Sequence, residues 1–302
     1  MMNTKANHGR FAFTLFELLV VIAILAILLA LTLTAISKVR MSAHVLESKN
    51  KLKEMSLAYQ QADQQLSFSK KHDDSTDGGG HVFHTLLPYM GWNDDYSKSQ
   101  TTLPPPPAHV YVSTIDPSYV KKYASRPVPL GVQPGPSVET EGTSSYAVNS
   151  VLCFECTSLL DVRDGQSNTI LFSERYSQCE NFYVKWRIPG ADCFFSNPPS
   201  PNVRVPCEKM DRRSTFADKL YPDDVPGKDR VTMQTMGVPG NRPFQIQPRA
   251  TDCDLNRVQA LTLSGLNIAL ADGSVRTLNP SIDPSIFWSA ITPKGGEAIN
   301  IE

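Results

Sequence analysis

The stretch Phe13-Thr-Leu-Phe-Glu17-Leu-Leu-Val-Val-Ile-Ala-Ile-Leu-Ala-Ile-Leu-Leu-Ala-Leu31 decides the fold. From Leu18 to Ile36 no residue is charged, and only Thr32 and Thr34 are polar. That run approaches the roughly 20 apolar residues that a bilayer-spanning helix needs. Lys5, His8 and Arg10 precede it, as basic residues precede the apolar core of a secretory signal peptide. Two features speak against such a signal. Glu17 stands at the edge of the apolar run, and Leu33-Thr34-Ala35 places a bulky residue where signal cleavage needs a small one.

Glu17 therefore needs a physical account. A lone carboxylate in hydrocarbon costs on the order of 2.5–3.5 kcal/mol on insertion scales. A cut between Ala12 and Phe13 creates an amino group one helical turn from Glu17, within reach of a carboxylate on the same or a neighbouring chain. Opposite charges about 4 Å apart attract by roughly 4 kcal/mol at an effective dielectric near 20, which offsets much of that burial. The plainer alternative is a signal-anchor helix whose Glu17 snorkels to the headgroups.

Beyond Ile36, residues Met41, Val45, Leu52, Met55, Tyr59, Ala62 and Leu66 recur at spacings of three, four and seven, with Ser48 as the polar member of the stripe. This is one apolar face of a helix, with Lys49, Lys51, Lys53 and Glu54 mostly off it. No Pro or Gly interrupts Phe13 to Phe68, so one helix of about 50 residues, roughly 80 Å long, is expected. Asp73-Asp-Ser-Thr-Asp-Gly-Gly-Gly80 ends it with turn chemistry. The expected organisation is a leader over 1–12, a membrane-spanning half-helix over 13–36, its extramembrane continuation over 37–69 and a head over 81–302.

The head reads as short strands in much loop. His81 to Met90 suggests a short helix closed by Gly91. Pro104 to Pro107, Pro117, Pro127, Pro129, Pro134 and Pro136 make a rigid connection, and Pro189 to Pro248 reads as an irregular surface insertion. Strands are expected over Ser144–Leu152 and Thr169–Glu174, the second entered through a turn at Asp164-Gly165. Asn267–Ala271 and Ser274–Leu278 flank Asp272-Gly273, a two-residue connection of the type I′ hairpin kind, with Leu270 facing Val275 at the edge of a sheet. The fold class is α+β: a long N-terminal helix packed on an antiparallel β-sheet head with long Pro-rich loops.

Little in the chain points to chemistry. The formal net charge is −1, and no basic cluster is interleaved with aromatics, so nothing suggests a nucleic-acid partner. Cys153-Phe-Glu-Cys156 has redox-motif spacing but lacks a strand–helix setting. Cys179, Cys193, Cys207 and Cys253 are too far apart to give a second zinc pair. In an exported domain the six cysteines allow up to three disulfides, of unresolved connectivity. His81 and His84 have no nearby acid or Cys to complete a metal set, and Asp73, Asp74 and Asp77 lack the closing Glu of a calcium loop. No nucleophile elbow, phosphate loop or dinucleotide fingerprint is present, so no catalytic residue, metal or cofactor is expected.

The segment Phe13-Thr-Leu-Phe-Glu17-Leu-Leu-Val-Val-Ile-Ala resembles the prepilin-type cleavage and methylation segment of type IV pilins and type II secretion pseudopilins. The resemblance implies that a prepilin peptidase cuts between Ala12 and Phe13, that the Phe13 amino group is methylated, and that Glu17 aids assembly with like or related pilin subunits. Ala12 stands where the family usually has Gly, and Phe16 where Ile is commoner. The charge count alone, with Lys38, Arg40, Lys49 and Lys51 beyond the span, would keep the large domain in the cytosol. The resemblance implies the reverse: a single pass through the inner membrane, with the head exported to the periplasm or cell surface. The alternative is a singly anchored envelope protein whose head binds a ligand such as a polysaccharide.

A second resemblance lies in the head. Ser145-Tyr-Ala-Val-Asn149, Asp164-Gly-Gln-Ser-Asn-Thr-Ile170 and Asn267-Ile-Ala-Leu-Ala-Asp-Gly-Ser-Val275 are similar to a large bacterial family of pilin-like proteins whose head is a domain of unknown function. Its turn motif, here Asp272-Gly273, is usually preceded by a His, and the corresponding position here is Thr262.

Overall fold

A computed structural model describes residues 15–65, 82–93, 109–119, 143–149, 151–152, 158–179, 182–185, 211–217, 243–254 and 257–296. The chain divides into two compact units, one ending at His44 and the other beginning at Val45. Helix α1, Leu15–Gln65, runs without interruption through the expected span and its continuation. No break occurs between Thr32 and Ser37, as the absence of Pro and Gly predicts.

In the second unit the periodic stripe does what its spacing requires. Ser48, Leu52, Met55, Ala58, Tyr59 and Ala62 are buried, while Lys53, Glu54 and Gln61 stay in solvent. Burying Leu52 and Met55 stabilises the unit by about 1.5–3 kcal/mol each. The expected short helix at 81–90 is a helical turn, α2 (Val82–Leu86), followed by a 3₁₀ turn (Leu87–Met90). Gly91 closes it at φ +80°, where its N–H reaches the carbonyls of Leu87 and Pro88.

The head's main sheet holds β1 (Tyr146–Asn149), β2 (Ile170–Glu174), β6 (Thr215–Phe216), β9 (Leu266–Leu270) and β10 (Val275–Leu278), in the order β10-β9-β2-β1-β6. Every pairing is antiparallel except that β6 joins β1 in parallel. Smaller sheets are formed by β3 (Gln178–Cys179), β4 (Phe182–Lys185) and β5 (Asp211–Arg213), and by β7 (Gln245–Ile246) and β8 (Gln259–Ala260). The Pro189–Pro248 region is thus not wholly irregular. Its described parts supply β5, β6 and β7, strands too short to show a period-two pattern. The strand expected over Ser144–Leu152 is shorter, since Val151 and Leu152 are helical.

The sheet is covered on both faces. Tyr146, Val148, Leu171, Phe172 and Ala269 share a core with α1 and α2, in which the Phe172 ring meets Tyr59 at 6.1 Å and Phe83 at 5.8 Å. Ala147, Ile170, Ile268 and Leu270 face a second core with Phe244 and with Phe287 of α3 (Pro284–Ser289). Burial on both faces explains why β2 and β9 read as nearly continuous apolar runs rather than alternating ones. An irregularity between Ile170 and Phe172 lets the successive residues Leu171 and Phe172 join the same core.

The terminal hairpin is present at the sheet edge, but its register corrects the expected one. Val275 lies opposite Ala269, not Leu270. Gly273 N–H donates to the Leu270 carbonyl at 3.0 Å and Leu270 N–H to the Ser274 carbonyl at 2.8 Å, so the connection has three residues, Ala271 to Gly273. A type I′ turn needs positive φ at both central residues; here Gly273 has it, at φ +85°, and Asp272 does not. The glycine bulge therefore spares Asp272 the left-handed conformation that costs a side-chain-bearing residue roughly 1–2 kcal/mol.

Candidate functional site

The described part of the first unit, residues 15–44, is a helix with no core of its own. Leu15 is 82 % exposed, Leu25 52 % and Leu33 67 %, and none of the large apolar side chains between Leu15 and Met41 is buried. Positions 18–37 carry no charge and span about 30 Å at 1.5 Å per residue, the thickness of a bilayer's hydrocarbon core. Thr32, Thr34 and Ser37 donate their hydroxyls to the carbonyls of Leu29, Leu31 and Thr34, each at 2.9 Å. These polar groups thus satisfy themselves within the helix, as a hydrocarbon surrounding demands. Glu17 lies in the first turn, where the helix dipole favours an anion. Ala12 and Phe13 lie outside the described residues.

Among the other candidates, Asp73, Asp74, Asp77 and His81 also lie outside the described residues, and His84 is half-buried on α2. No group of three or more His, Cys, Asp or Glu is placed to hold a metal among the described residues. Cys153, Cys156, Cys193 and Cys207 fall outside them too. Cys179 and Cys253 are buried and bonded to each other, with Cα atoms 5.4 Å apart, across 74 positions of sequence. Closing a loop of that length stabilises the fold by about 4 kcal/mol in the chain-entropy account. Thiol labelling of denatured, non-reduced protein from cells should therefore find at most four of the six cysteines reactive. Six reactive thiols would place the head in a reducing compartment.

Two buried polar centres escape sequence reasoning. Asp116 accepts from Ser118 N–H at 2.9 Å and Ser118 Oγ at 2.6 Å with one oxygen. Its other oxygen accepts from Ser145 Oγ at 2.6 Å and Ser177 N–H at 2.9 Å, pinning the 109–119 segment to the end of the β1–β2 pair where β1 begins and β2 finishes. Burial, and secondarily the charge of Asp116, push the Tyr176 phenol up to about 12. The second centre is Glu174. Its Oε1 accepts from Ser48 Oγ at 2.6 Å and Asn267 Nδ2 at 2.9 Å, its Oε2 from Asn267 N–H at 3.3 Å, and Ser48 also meets the Tyr146 hydroxyl at 3.0 Å. The available signals were Ser48 inside the apolar stripe and Glu174 closing an apolar strand.

Comparison with protein families identifies both parts of the chain. The family described as "Protein of unknown function (DUF1559)" matches residues 38–285, most of the chain. The chain belongs to the DUF1559 family. The prokaryotic N-terminal methylation motif matches residues 7–33, over the apolar helix and the residues before it. No curated protein and no solved structure gives a significant match. The chain is therefore a DUF1559 protein with a pilin-like N-terminus and, among the described residues, one helix long and apolar enough to cross a membrane.

In this DUF1559 head the turn motif has a local role. Asp272 Oδ1 accepts from Ser274 N–H at 2.8 Å and Ser274 Oγ at 2.7 Å, holding the three-residue connection in shape. Thr262 is buried and lies in a turn of its own, its Oγ1 2.7 Å from Ser264 Oγ and 3.3 Å from the Gly265 carbonyl. A hydroxyl at this position closes the turn before β9.

Proposed function

We propose that this chain is a pilin-like structural subunit: a precursor cut by a prepilin peptidase between Ala12 and Phe13, methylated at Phe13, and assembled through α1 into a filament or secretion pseudopilus. The observation that carries the reading is the combination of a methylation motif with a helix whose apolar surface from Leu15 to Met41 is left uncovered by the described residues. So large an unburied apolar surface needs lipid or sister helices. In the precursor the helix anchors the chain in the inner membrane; in the assembly it packs against its copies, with the head outward. The partners are the peptidase and like or related subunits, and the work is assembly rather than catalysis.

Cleavage supplies a simple test. Ala12→Trp fills the small-residue position before the cut and should leave full-length precursor in cells with an active prepilin peptidase. Wild-type mobility and mass for the variant would sink this placement of the cut.

A further inference from the structure

We infer that Glu174 is a pH-sensitive latch between the extramembrane part of α1 and the head sheet, holding the helix while its carboxyl is neutral and loosening it when ionised. The inference stands on where the group sits. Glu174 is fully buried at the end of β2 and meets α1 at Ser48, the first fully buried residue of that helix. α1 also meets the head outside the sheet through Asp63, which accepts from Ser158 Oγ at 2.9 Å and Leu159 N–H at 3.0 Å. Among the described residues its other ties at the sheet, Ser56 to the Leu270 carbonyl at 3.0 Å and Gln60 Nε2 to the Ala271 carbonyl at 2.9 Å, hold no ionisable group. The Ser48 contact does.

Among the described residues, the influences on the Glu174 carboxyl are burial and the hydrogen bonds it accepts. From α1 come Ser48 and, one residue earlier, Glu47, whose carboxylate is paired with Lys51 Nζ at 3.0 Å. Lys51 also donates to the Val112 carbonyl at 2.8 Å, so its charge is directed to that segment. From β1 comes the Tyr146 phenol, whose pKa burial raises further, so it stays neutral. From β9 comes Asn267, steadied by Thr277 Oγ1 of β10 at 2.7 Å. Leu261 presents only backbone. Arg175, next in the chain, is also buried.

Burial is the largest influence on the Glu174 carboxyl and raises its pKa, and the hydrogen bonds from Ser48 and Asn267 counter it only in part. The protonated acid keeps a place in the network, because the Ser48 hydroxyl beside it accepts as readily as it donates. An acid whose folded pKa lies above its unfolded value, about 4.3, adds its full stability below that value. The contribution is lost as pH rises through the folded pKa. The latch is therefore firm in acid and looser at neutral and alkaline pH.

Hydrogen exchange of the full-length protein in detergent micelles, followed for the 52–59 amides between about pH 4 and about pH 8, tests the latch. Once the chemical exchange rate is divided out, opening of the wild-type helix should rise by up to about tenfold per pH unit over part of that range. Glu174→Gln keeps the shape and an acceptor but cannot ionise, so its opening should stay flat. Equal pH slopes in the two proteins would overturn the latch. If the glutamine variant does not fold, carboxyl NMR of the wild type decides: a Glu174 midpoint well above about 4.3 supports the inference, and one at or below that value overturns it.

Discussion

Gly265→Ala should cost the head about 4 kcal/mol, combining a backbone conformation hostile to side chains with a steric overlap. Gly265 has φ +130°, and a Cβ there would run into the carbonyl oxygen of Leu278 and stand 3.2 Å from Thr277 Cγ2. The obstacle is the backbone of β10, so relief requires moving the strand, and with it the pairing of Leu278 to Leu266 and the bridge between Thr262 and Gly265. Against a typical stability of about 5–15 kcal/mol this is a large fraction. Gly91→Ala is the matched control. It too has positive φ, +80°, but its Cβ would meet nothing within 4 Å, so only the conformational cost of roughly 1–2 kcal/mol applies. Thermal unfolding of the two variants should rank them in that order by a wide margin; equal midpoints would show that β10 does not pack against Gly265.

Glu17→Gln should abolish assembly while leaving membrane insertion intact. In the proposed filament the first turn of α1 would lie among apolar neighbours, and the amino group of Phe13 on an adjacent subunit would neutralise Glu17. Removing the charge removes a Coulomb attraction of roughly 4 kcal/mol at an effective dielectric near 20, about a thousandfold in the subunit equilibrium. Insertion improves slightly, because a carboxylate no longer enters lipid. The measurement is cross-linking between cysteines introduced along residues 18–36, which should capture multimers of the wild type and few or none of the variant. Equal multimer yields would favour an anchored envelope protein whose head binds a ligand, with Glu17 merely snorkelling.

The parts of this fold that were legible in the sequence are those set by local periodicity. The uncharged run after Glu17 and the stripe from Ser48 to Ala62 describe α1 through most of its length, because every third or fourth side chain shares one face. The Asp272-Gly273 pair located the hairpin, yet its register was not legible. Gly273 alone takes positive φ, and the carboxylate of Asp272 braces Ser274, so the turn closes one residue wider than the dipeptide suggests. The Glu174 centre was hidden for a different reason. Ser48, Glu174 and Asn267 lie 126 and 93 positions apart in sequence; the register of β2 against β9 brings Glu174 to Asn267, and the packing of α1 on the sheet brings Ser48 to Glu174. The same holds for Cys179 and Cys253, two of six cysteines that spacing alone could not pair.

The central claim, that this DUF1559 protein is made and used as a pilin-like subunit, meets its most direct test at the N-terminus of the membrane-extracted protein. Mass spectrometry of material from cells with an active prepilin peptidase should find a chain that begins at Phe13 with a methylated amino group. A chain that still carries Met1 or Met2 and the basic residues Lys5 and Arg10 would contradict the account, and Glu17 would then lose the partner that explains its place.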